Sequence, residues 1–249
     1  MFTTDYRDQV RDHLLQLANS DERIVAAAVV GSMAHSEGDR WSDLDLTFSV
    51  GDKWQIREVL ADWTDDVTEK FGAAHLFDVA SGISLYRVFL LPGCLQVDIS
   101  FTPASSFGAM GPNFKLLFGE AVTKPQPTPP PANELFGYAV HHLLRARFCI
   151  ERGRYWLAEY WISAARDYAL NLACRRRGLP THYGRGFDDL PPETLDLFRN
   201  SFVQSLEPTE LQRALNEVIK GLLSETDELH ELASQVRPHL HELTMTWDT

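Results

Sequence analysis

The sequence has little cysteine, no long apolar run and few basic side chains. Its three cysteines stand far apart, at positions 94, 149 and 174, which excludes a disulfide framework and a clustered zinc site. The longest wholly apolar run extends only from Ile24 to Val30, whereas a membrane-spanning helix needs about 20 residues. Because the N-terminus also lacks a basic start and an apolar stretch, we expect a cytoplasmic protein without a secretory signal or a membrane partner.

The charge balance is acidic. The chain carries 23 basic and 35 acidic side chains, a formal net charge of −12. Such a surface opposes general attraction to polyanions, so we expect no nucleic-acid partner. With 44% hydrophobic and 11% aromatic residues among 249, the chain can bury a substantial core, which excludes disorder as its main state.

A proline-rich segment divides the sequence into two parts of different character. Residues 122–132 read VTKPQPTPPPA, with five prolines in eleven positions, which predicts a stiff linker. Residues 1–121 alternate short apolar runs with amphipathic stretches, whereas residues 133–249 show long helical patterns. The predicted fold class is therefore an α/β (α+β) domain with a mixed β-sheet, followed by an all-α helical bundle domain.

The individual elements follow from hydrophobic periodicity. In the first part we predict helices over 3–19 and 54–71 and strands over 23–30, 43–50, 76–80, 84–91 and 94–101. In the second part we predict helices over 133–152, 154–177, 191–204, 208–224 and 225–240.

The segment VVGSMAHSEGDRWSDLDLTF carries the strongest chemical signal. Gly31-Ser32 closes a buried strand, ten residues follow, and Asp43-Leu44-Asp45 opens the next strand. Gly31 lets the backbone approach a ligand, and Ser32 begins a predicted helix whose N–H groups and hydroxyl can hold phosphate oxygens. Carboxylates two residues apart on a strand share a face, so Asp43 and Asp45 can share divalent metal ions. The alternative is that both aspartates lie on the solvated edge of a half-exposed strand.

A third carboxylate would complete such a metal site. Asp98 is the natural candidate, because it lies in the alternating strand LQVDISF. Asp78 in LFDVA is its competitor, and a single acid on a polar strand face is also common without any ligand.

Taken together, Gly31-Ser32, the ten-residue gap, Asp43-Leu44-Asp45 and Asp98 resemble the signature of the nucleotidyltransferase superfamily that includes DNA polymerase beta. A catalytic domain of this kind followed by a helical domain is similar to the antibiotic nucleotidyltransferases, which act on aminoglycosides and lincosamides. The motif similarity covers about residues 23–101, and beyond the linker the similarity is one of architecture only.

This resemblance implies a nucleoside triphosphate, with ATP as the default, and two Mg²⁺ ions. Asp43 and Asp45 would hold both ions, Asp98 would hold the catalytic one, and Gly31 and Ser32 would contact the triphosphate. The implied reaction is attack of a hydroxyl of a small acceptor on the α-phosphorus with release of pyrophosphate. A homodimer would also be compatible with the resemblance.

Two further residues complete the predicted nucleotide-binding set. Ser42 directly precedes the acidic pair and is given only a positioning role. Arg147, one of several arginines early in the helical part, could bind phosphate with its forked guanidinium. The alternative for Arg147 is a solvated basic helix face with its own ion pairs.

The acceptor hydroxyl must lose a proton, so a general base is expected. Glu159 and Arg166 fall on an otherwise apolar stripe of the helix predicted over 154–177, and such a stripe opens onto a cleft or carries an internal ion network. Glu159 is the candidate base by analogy with antibiotic nucleotidyltransferases. Asp98 is the alternative base, and a structural Glu159 paired with an arginine is equally compatible with the sequence.

Two other functions fit the same residues. The chain could nucleotidylate a protein, as small antitoxin-like members of the superfamily are thought to do, although the helical part already offers a second wall for a small-molecule cleft. It could also be a non-catalytic nucleotide-binding scaffold, since fold does not fix function. The presence of both Asp43 and Asp45 argues against the non-catalytic function.

Overall fold

The computed structural model describes residues 1–35, 38–125 and 128–245. The chain forms two compact units, Met1–Pro127 and Thr128–Thr249. The division falls inside the segment predicted as a linker, of which residues 126 and 127 lie outside the described residues.

The first unit combines helices with a mixed β-sheet. Its described residues form helices α1 (Thr4–Ser20) and α2 (Ile56–Phe71) and strands β1 (Ile24–Val30), β2 (Leu44–Val50), β3 (Ala74–Ser81), β4 (Ser84–Leu91), β5 (Leu95–Pro103) and β6 (Phe114–Phe118). The strand order is β3-β4-β5-β2-β1-β6. Strands β2 and β5 pair in parallel, and the other neighbours are antiparallel. The predicted mixed sheet is confirmed. Strand β6 was not predicted, because its sequence, FKLLF, does not alternate between apolar and polar residues.

One face of the sheet is packed against the two helices. Leu44, Leu46 and Phe48 alternate along β2 and are at most 1% exposed. The indole of Trp63 in α2 lies edge-on to Phe48 and Phe101, with ring centroids 4.7 and 5.1 Å apart, a favourable aromatic geometry. Because side chains alternate along a strand, the polar residues of β2 project from the opposite face.

That opposite face is polar but mostly closed to water. Thr47 and Ser49 of β2 are 9% and 1% exposed, and the Ser100 hydroxyl donates a 2.8 Å hydrogen bond to Thr47 Oγ1. Thr47 and Ser49 are therefore closed to water, whereas Asp43 and Asp45 are partly exposed, as the alternative of a half-exposed strand edge also allows. The burial of the Thr47 and Ser100 hydroxyls is tolerated because they are hydrogen-bonded to each other.

The second unit is helical. Its described residues form α3 (Ala132–Glu151), α4 (Tyr155–Arg176), α5 (Pro192–Arg199), α6 (Pro208–Ser224) and α7 (His230–Glu242). Their buried apolar faces meet in one hydrophobic core. In the described parts of the chain, no helix combines the length and the apolar character that a membrane crossing requires.

Two of the predicted helices have different bounds in the structure. Helix α5 ends at Arg199 and does not continue to 204. After Arg199, the carbonyls of Asn200 and Phe202 accept hydrogen bonds from the Arg213 guanidinium. These carbonyls are therefore bound to a side chain and not to the N–H groups of a continuing helix. Helix α7 begins at His230 instead of 225, after a short 3₁₀ turn, Asp227–Leu229.

The arginine run at the end of α4 is neutralised within the second unit. The Glu225 carboxylate is 3% exposed on its side chain and lies 2.8 Å from the Arg176 guanidinium and 2.9 Å from that of Arg177. Removing one partner of a buried ion pair is costly, because the other charge is left unpaired. The run, Arg175 to Arg177, thus belongs to an ion network within the second unit.

Glu210 in the first turn of α6 gives the second unit an acid-sensitive contact. Its carboxylate accepts hydrogen bonds from the Arg213 guanidinium and from the Gln204 N–H at 2.9 Å, which lower the pKa of Glu210 from 4.5 to about 2. A lowered pKa means that this stabilisation is complete above pH 4.5 and is lost as the pH falls towards 2.

We therefore expect Glu210→Gln to lower the Tm at pH 7 and to lower it progressively less between pH 4.5 and 2. Thermal unfolding followed by circular dichroism across this range measures the difference. Glu217→Gln on the same helix is the control, since Glu217 pairs with the exposed Lys220 and surface pairs contribute little. A Tm difference that is the same at pH 7 and pH 2.5 would contradict the assignment.

Candidate active site

Three carboxylates converge on the polar face of the sheet. Asp45 in β2 lies directly opposite Asp98 in the parallel strand β5, so both side chains leave the sheet on the same face. Asp43 lies just before β2 and, two residues from Asp45, shares that face. One carboxylate oxygen of each residue lies within 4.8 Å of the others. All three side chains are partly exposed, so a ligand in solution can reach them.

The electrostatics of this cluster favour a cation. Asp98 is half-buried, and its pKa is raised first by desolvation and then by the negative charge of Asp43. The Gln96 amide partly offsets the rise by donating to both Asp98 oxygens at 3.1 and 3.3 Å. Carboxylate oxygens are the ligands that Mg²⁺ prefers, and a bound cation would relieve their mutual repulsion. The residues present therefore fit a magnesium site.

Asp78, the competitor for the third position, is engaged elsewhere. It lies in the edge strand β3, where the Arg87 guanidinium contacts it at 2.7 Å and His75 at 3.0 Å. The hydrogen bond from Arg87 is the main reason that the pKa of Asp78 is lowered. The structure thus places Asp98, and not Asp78, beside Asp43 and Asp45.

Gly31 lies against the acidic cluster. Its φ angle is +69°, and a Cβ atom at this position would lie 2.3 Å from Asp45 Oδ2. Glycine satisfies both constraints, because it tolerates positive φ and leaves room for the carboxylate.

We expect Gly31→Ala to displace Asp45 and to lower turnover by about a hundredfold, since misplacing a reacting group by about 1 Å has that effect. Steady-state release of pyrophosphate in the reaction proposed below measures it. Gly82→Ala is the matched control: Gly82 has a φ of +59°, but a Cβ there meets no atom within 4 Å. The interpretation fails if both variants lose activity equally or if Gly31→Ala retains it.

The loop between Gly31 and Asp43 is held by a hydroxyl relay. Ser32 Oγ donates to Ser42 Oγ at 3.1 Å, and Ser42 Oγ lies 3.2 Å from Asp39 Oδ1 and accepts the Asp39 N–H at 3.0 Å. Ser42 therefore ties Ser32 to the residues that lead into the acidic pair. The helix predicted to begin at Ser32 is a 3₁₀ helix of five residues, Gly31–His35, which is too short to develop a large dipole.

Arg7 is a positioning residue that sequence reasoning missed. Its side chain is 4% exposed, and it donates hydrogen bonds to the carbonyls of Asp39 at 2.6 Å and Ser42 at 2.9 Å. Arg7 shares the buried side of α1 with Val10 and Leu14. A charged residue on an otherwise apolar helix stripe is the sequence pattern that could have identified Arg7. The same pattern identified Glu159 as a candidate.

Glu159 in α4 belongs to a small polar chain within the second unit. The Ser163 hydroxyl donates to Glu159 Oε1 at 2.6 Å, and Arg166 Nη2 donates to Ser163 Oγ at 3.1 Å. Glu159 is partly exposed and Arg166 is buried. Of the two alternatives for this stripe, the structure shows a polar chain within α4, with a serine between the two charges. The role of Glu159 as a base stays a prediction.

Arg147 is placed differently from the prediction. Its side chain is 4% exposed, and its guanidinium lies 2.7 Å from Glu151 Oε1. It also donates to Gln212 and, at 3.3 Å, to the carbonyl of Leu243. The prediction that Arg147 contacts the triphosphate is corrected, because these buried contacts direct its guanidinium to the core of the second unit.

Comparisons with known proteins give little beyond this geometry. No protein-family model matches the chain, and no curated protein shows a significant match. Among solved structures, the chain is similar to an aminoglycoside 6-adenyltransferase from Bacillus subtilis, with 12% sequence identity over 95% of this chain and 97% of that chain and a TM-score of 0.41. A likeness at this level carries no argument about activity, so the functional interpretation rests on the residues themselves.

Proposed function

We propose that the chain is a Mg²⁺-dependent nucleotidyltransferase. It transfers a nucleoside monophosphate, AMP from ATP by default, to a hydroxyl of a small molecule such as an antibiotic, and it releases pyrophosphate. The observation that carries the proposal is the convergence of Asp43, Asp45 and Asp98 within 4.8 Å. The close approach of Gly31 to Asp45 supports the proposal, because it brings the Gly31-Ser32 part of the sequence motif next to the Asp43-Leu44-Asp45 part.

Each carboxylate has a defined task in this proposal. Asp43 and Asp45 would hold two Mg²⁺ ions, and Asp98 would hold one of them. When bound, these ions would neutralise the triphosphate and stabilise negative charge that develops at phosphorus. The pKa of Asp98 is raised first by desolvation and then by the negative charge of Asp43, and bound cations would offset the second cause.

The remaining residues bind, orient and move a proton. The N–H groups of Gly31 and Ser32 would bind phosphate oxygens, and the hydrogen bonds of Ser42 and Arg7 hold the neighbouring loop residues. The acceptor hydroxyl oxygen forms a bond to the α-phosphorus as the bond from phosphorus to the leaving pyrophosphate breaks. The proton of the hydroxyl passes to a carboxylate, for which we propose Glu159, with Asp98 as the alternative.

The test is pyrophosphate release from ATP and GTP with Mg²⁺, screened against pooled aminoglycosides, lincosamides and simple sugars. We expect release that depends on one acceptor pool and stops when EDTA removes the metal. Metal-dependent nucleotide binding without release in any pool would favour a protein acceptor, which transfer of labelled nucleotide to a cellular protein would identify. Absence of metal-dependent nucleotide binding would contradict the proposal and favour the scaffold.

A further inference from the structure

The second unit contains a cavity that the proposed reaction does not use. It has a volume of about 310 Å³ and lies among α4, α5 and the segments next to α5. Five apolar side chains form most of its wall, namely Leu170, Phe187, Leu195, Phe198 and Phe202. A concave apolar wall with a few polar groups is the usual form of a small-molecule site.

A buried cation forms the polar part of this wall. Arg166 lines the cavity and is 9% exposed. Its guanidinium donates to the Ser201 carbonyl at 3.2 Å and to Ser163 Oγ at 3.1 Å. Across the described residues, no carboxylate forms an ion pair with it, and Glu159 and Asp167 act on it only through longer-range attraction. A buried charge without a paired ion is costly, so an anion in the cavity would be bound strongly.

The mouth of the cavity is held in place by hydrogen bonds. Phe202 is 58% exposed, and the Arg166 Cζ atom lies 4.3 Å from the centre of its ring. Arg213 donates to the Phe202 carbonyl at 2.9 Å, and Glu210 accepts the Gln204 N–H at 2.9 Å. These bonds fix the segment after α5, so a ligand meets a formed site and loses little affinity to ordering.

The other charges at the cavity limit what it can take. Arg199 is already paired with Asp196 at 2.7 Å, and both side chains are exposed. Asp188 also lines the cavity and is exposed, so water screens it. Arg166 repels a cation, and its single positive charge matches one negative charge on the ligand, which the screened Asp188 opposes only weakly.

From these observations we infer that the second unit binds a small organic monocarboxylate with an apolar body. The carboxylate contacts the Arg166 guanidinium, and the apolar body fills the space among Leu170, Leu195 and Phe198. A charge-assisted contact at a buried arginine supplies orientation, and the apolar wall supplies most of the affinity.

The test uses three probes that share one alkyl chain: octanoate, octan-1-ol and octylammonium. Isothermal titration calorimetry on the full chain, without nucleotide, compares their affinities. We expect octanoate to bind at least about tenfold more tightly than octylammonium, as for a hydrogen bond to a charged group. Arg166→Gln should remove the preference for octanoate, whereas Arg199→Gln, which changes the cation already paired with Asp196, should retain it.

A second variant keeps the test decisive if Arg166→Gln does not fold. Leu195→Trp fills the cavity and leaves Arg166 in place, so loss of octanoate binding in this variant supports the site. Equal binding of the three probes, no binding of octanoate, or octanoate binding that survives Leu195→Trp would each overturn it. Because no step requires nucleotide or metal, the outcome is independent of the proposed transferase activity.

Discussion

Asp45→Asn is expected to lower Mg²⁺-dependent pyrophosphate release by at least about a thousandfold, because a metal ligand contributes several kcal/mol to the transition state. Asp45 is the central member of the cluster, since it lies opposite Asp98 and against Gly31. Asparagine has nearly the same shape, so the strand β2 should keep its packing. Release measured with saturating ATP and acceptor, together with the Tm, separates loss of chemistry from loss of fold.

Asp52→Asn is the matched control for this experiment. Asp52 lies beyond the other end of β2, where its Oδ1 accepts hydrogen bonds from the Ser105 N–H and hydroxyl at 3.2 Å. It is exposed and remote along the strand from the acidic cluster, so its turnover should stay within about twofold of the wild type. Wild-type turnover in Asp45→Asn would remove the basis of the proposed function.

Glu159→Gln is expected to lower kcat by about a hundredfold and to leave nucleotide affinity nearly unchanged, because a general base acts in the transition state. Glutamine retains an oxygen that can accept the Ser163 hydroxyl, so the polar chain from Glu159 to Arg166 should persist. The variant therefore removes the proton acceptor without removing the local structure. Single-turnover rates and nucleotide titrations measure the two quantities separately.

Asp167→Asn on the same helix is the control for Glu159→Gln. It removes one negative charge from α4 near Arg166, and we expect it to change kcat by no more than about threefold. If Glu159→Gln keeps the wild-type kcat, Glu159 is structural, and Asp98 becomes the candidate for the proton transfer.

The sequence predicts the elements around the acidic cluster well because their signals are local. The alternation along β2 and β5 predicts both strands and the shared face of Asp43 and Asp45, and the structure brings Asp98 to the same place. The pairing of Asp45 with Asp98 depends on the parallel register of two strands separated by a helix and a hairpin. That register is a tertiary property. The sequence alone therefore could not exclude Asp78 as the third carboxylate of the cluster.

Long-range contacts also explain the residues that were misplaced or missed. The apolar stripe of α1 marks Arg7 as unusual, but it does not identify the partners of Arg7, the Asp39 and Ser42 carbonyls, which lie more than thirty positions away in the sequence. In the sequence, Arg147 does not differ from the other arginines of its helix. In the structure, its guanidinium is buried and contacts Gln212 of α6 and Glu151. Which arginine of a run becomes buried depends on partners from other helices, and periodicity alone does not contain that information.

The way in which Arg7 holds the loop has a consequence for how this site can diversify. Arg7 binds main-chain carbonyls, so it constrains the path of the loop and not the identity of its side chains. At the tip, Arg40 lies 4.1 Å over the ring of Trp41, and both side chains are exposed. Substitutions at these two positions therefore change the exposed surface of the loop without changing its contacts to Arg7. In the proposed transferase, such changes would alter specificity separately from catalysis during evolution.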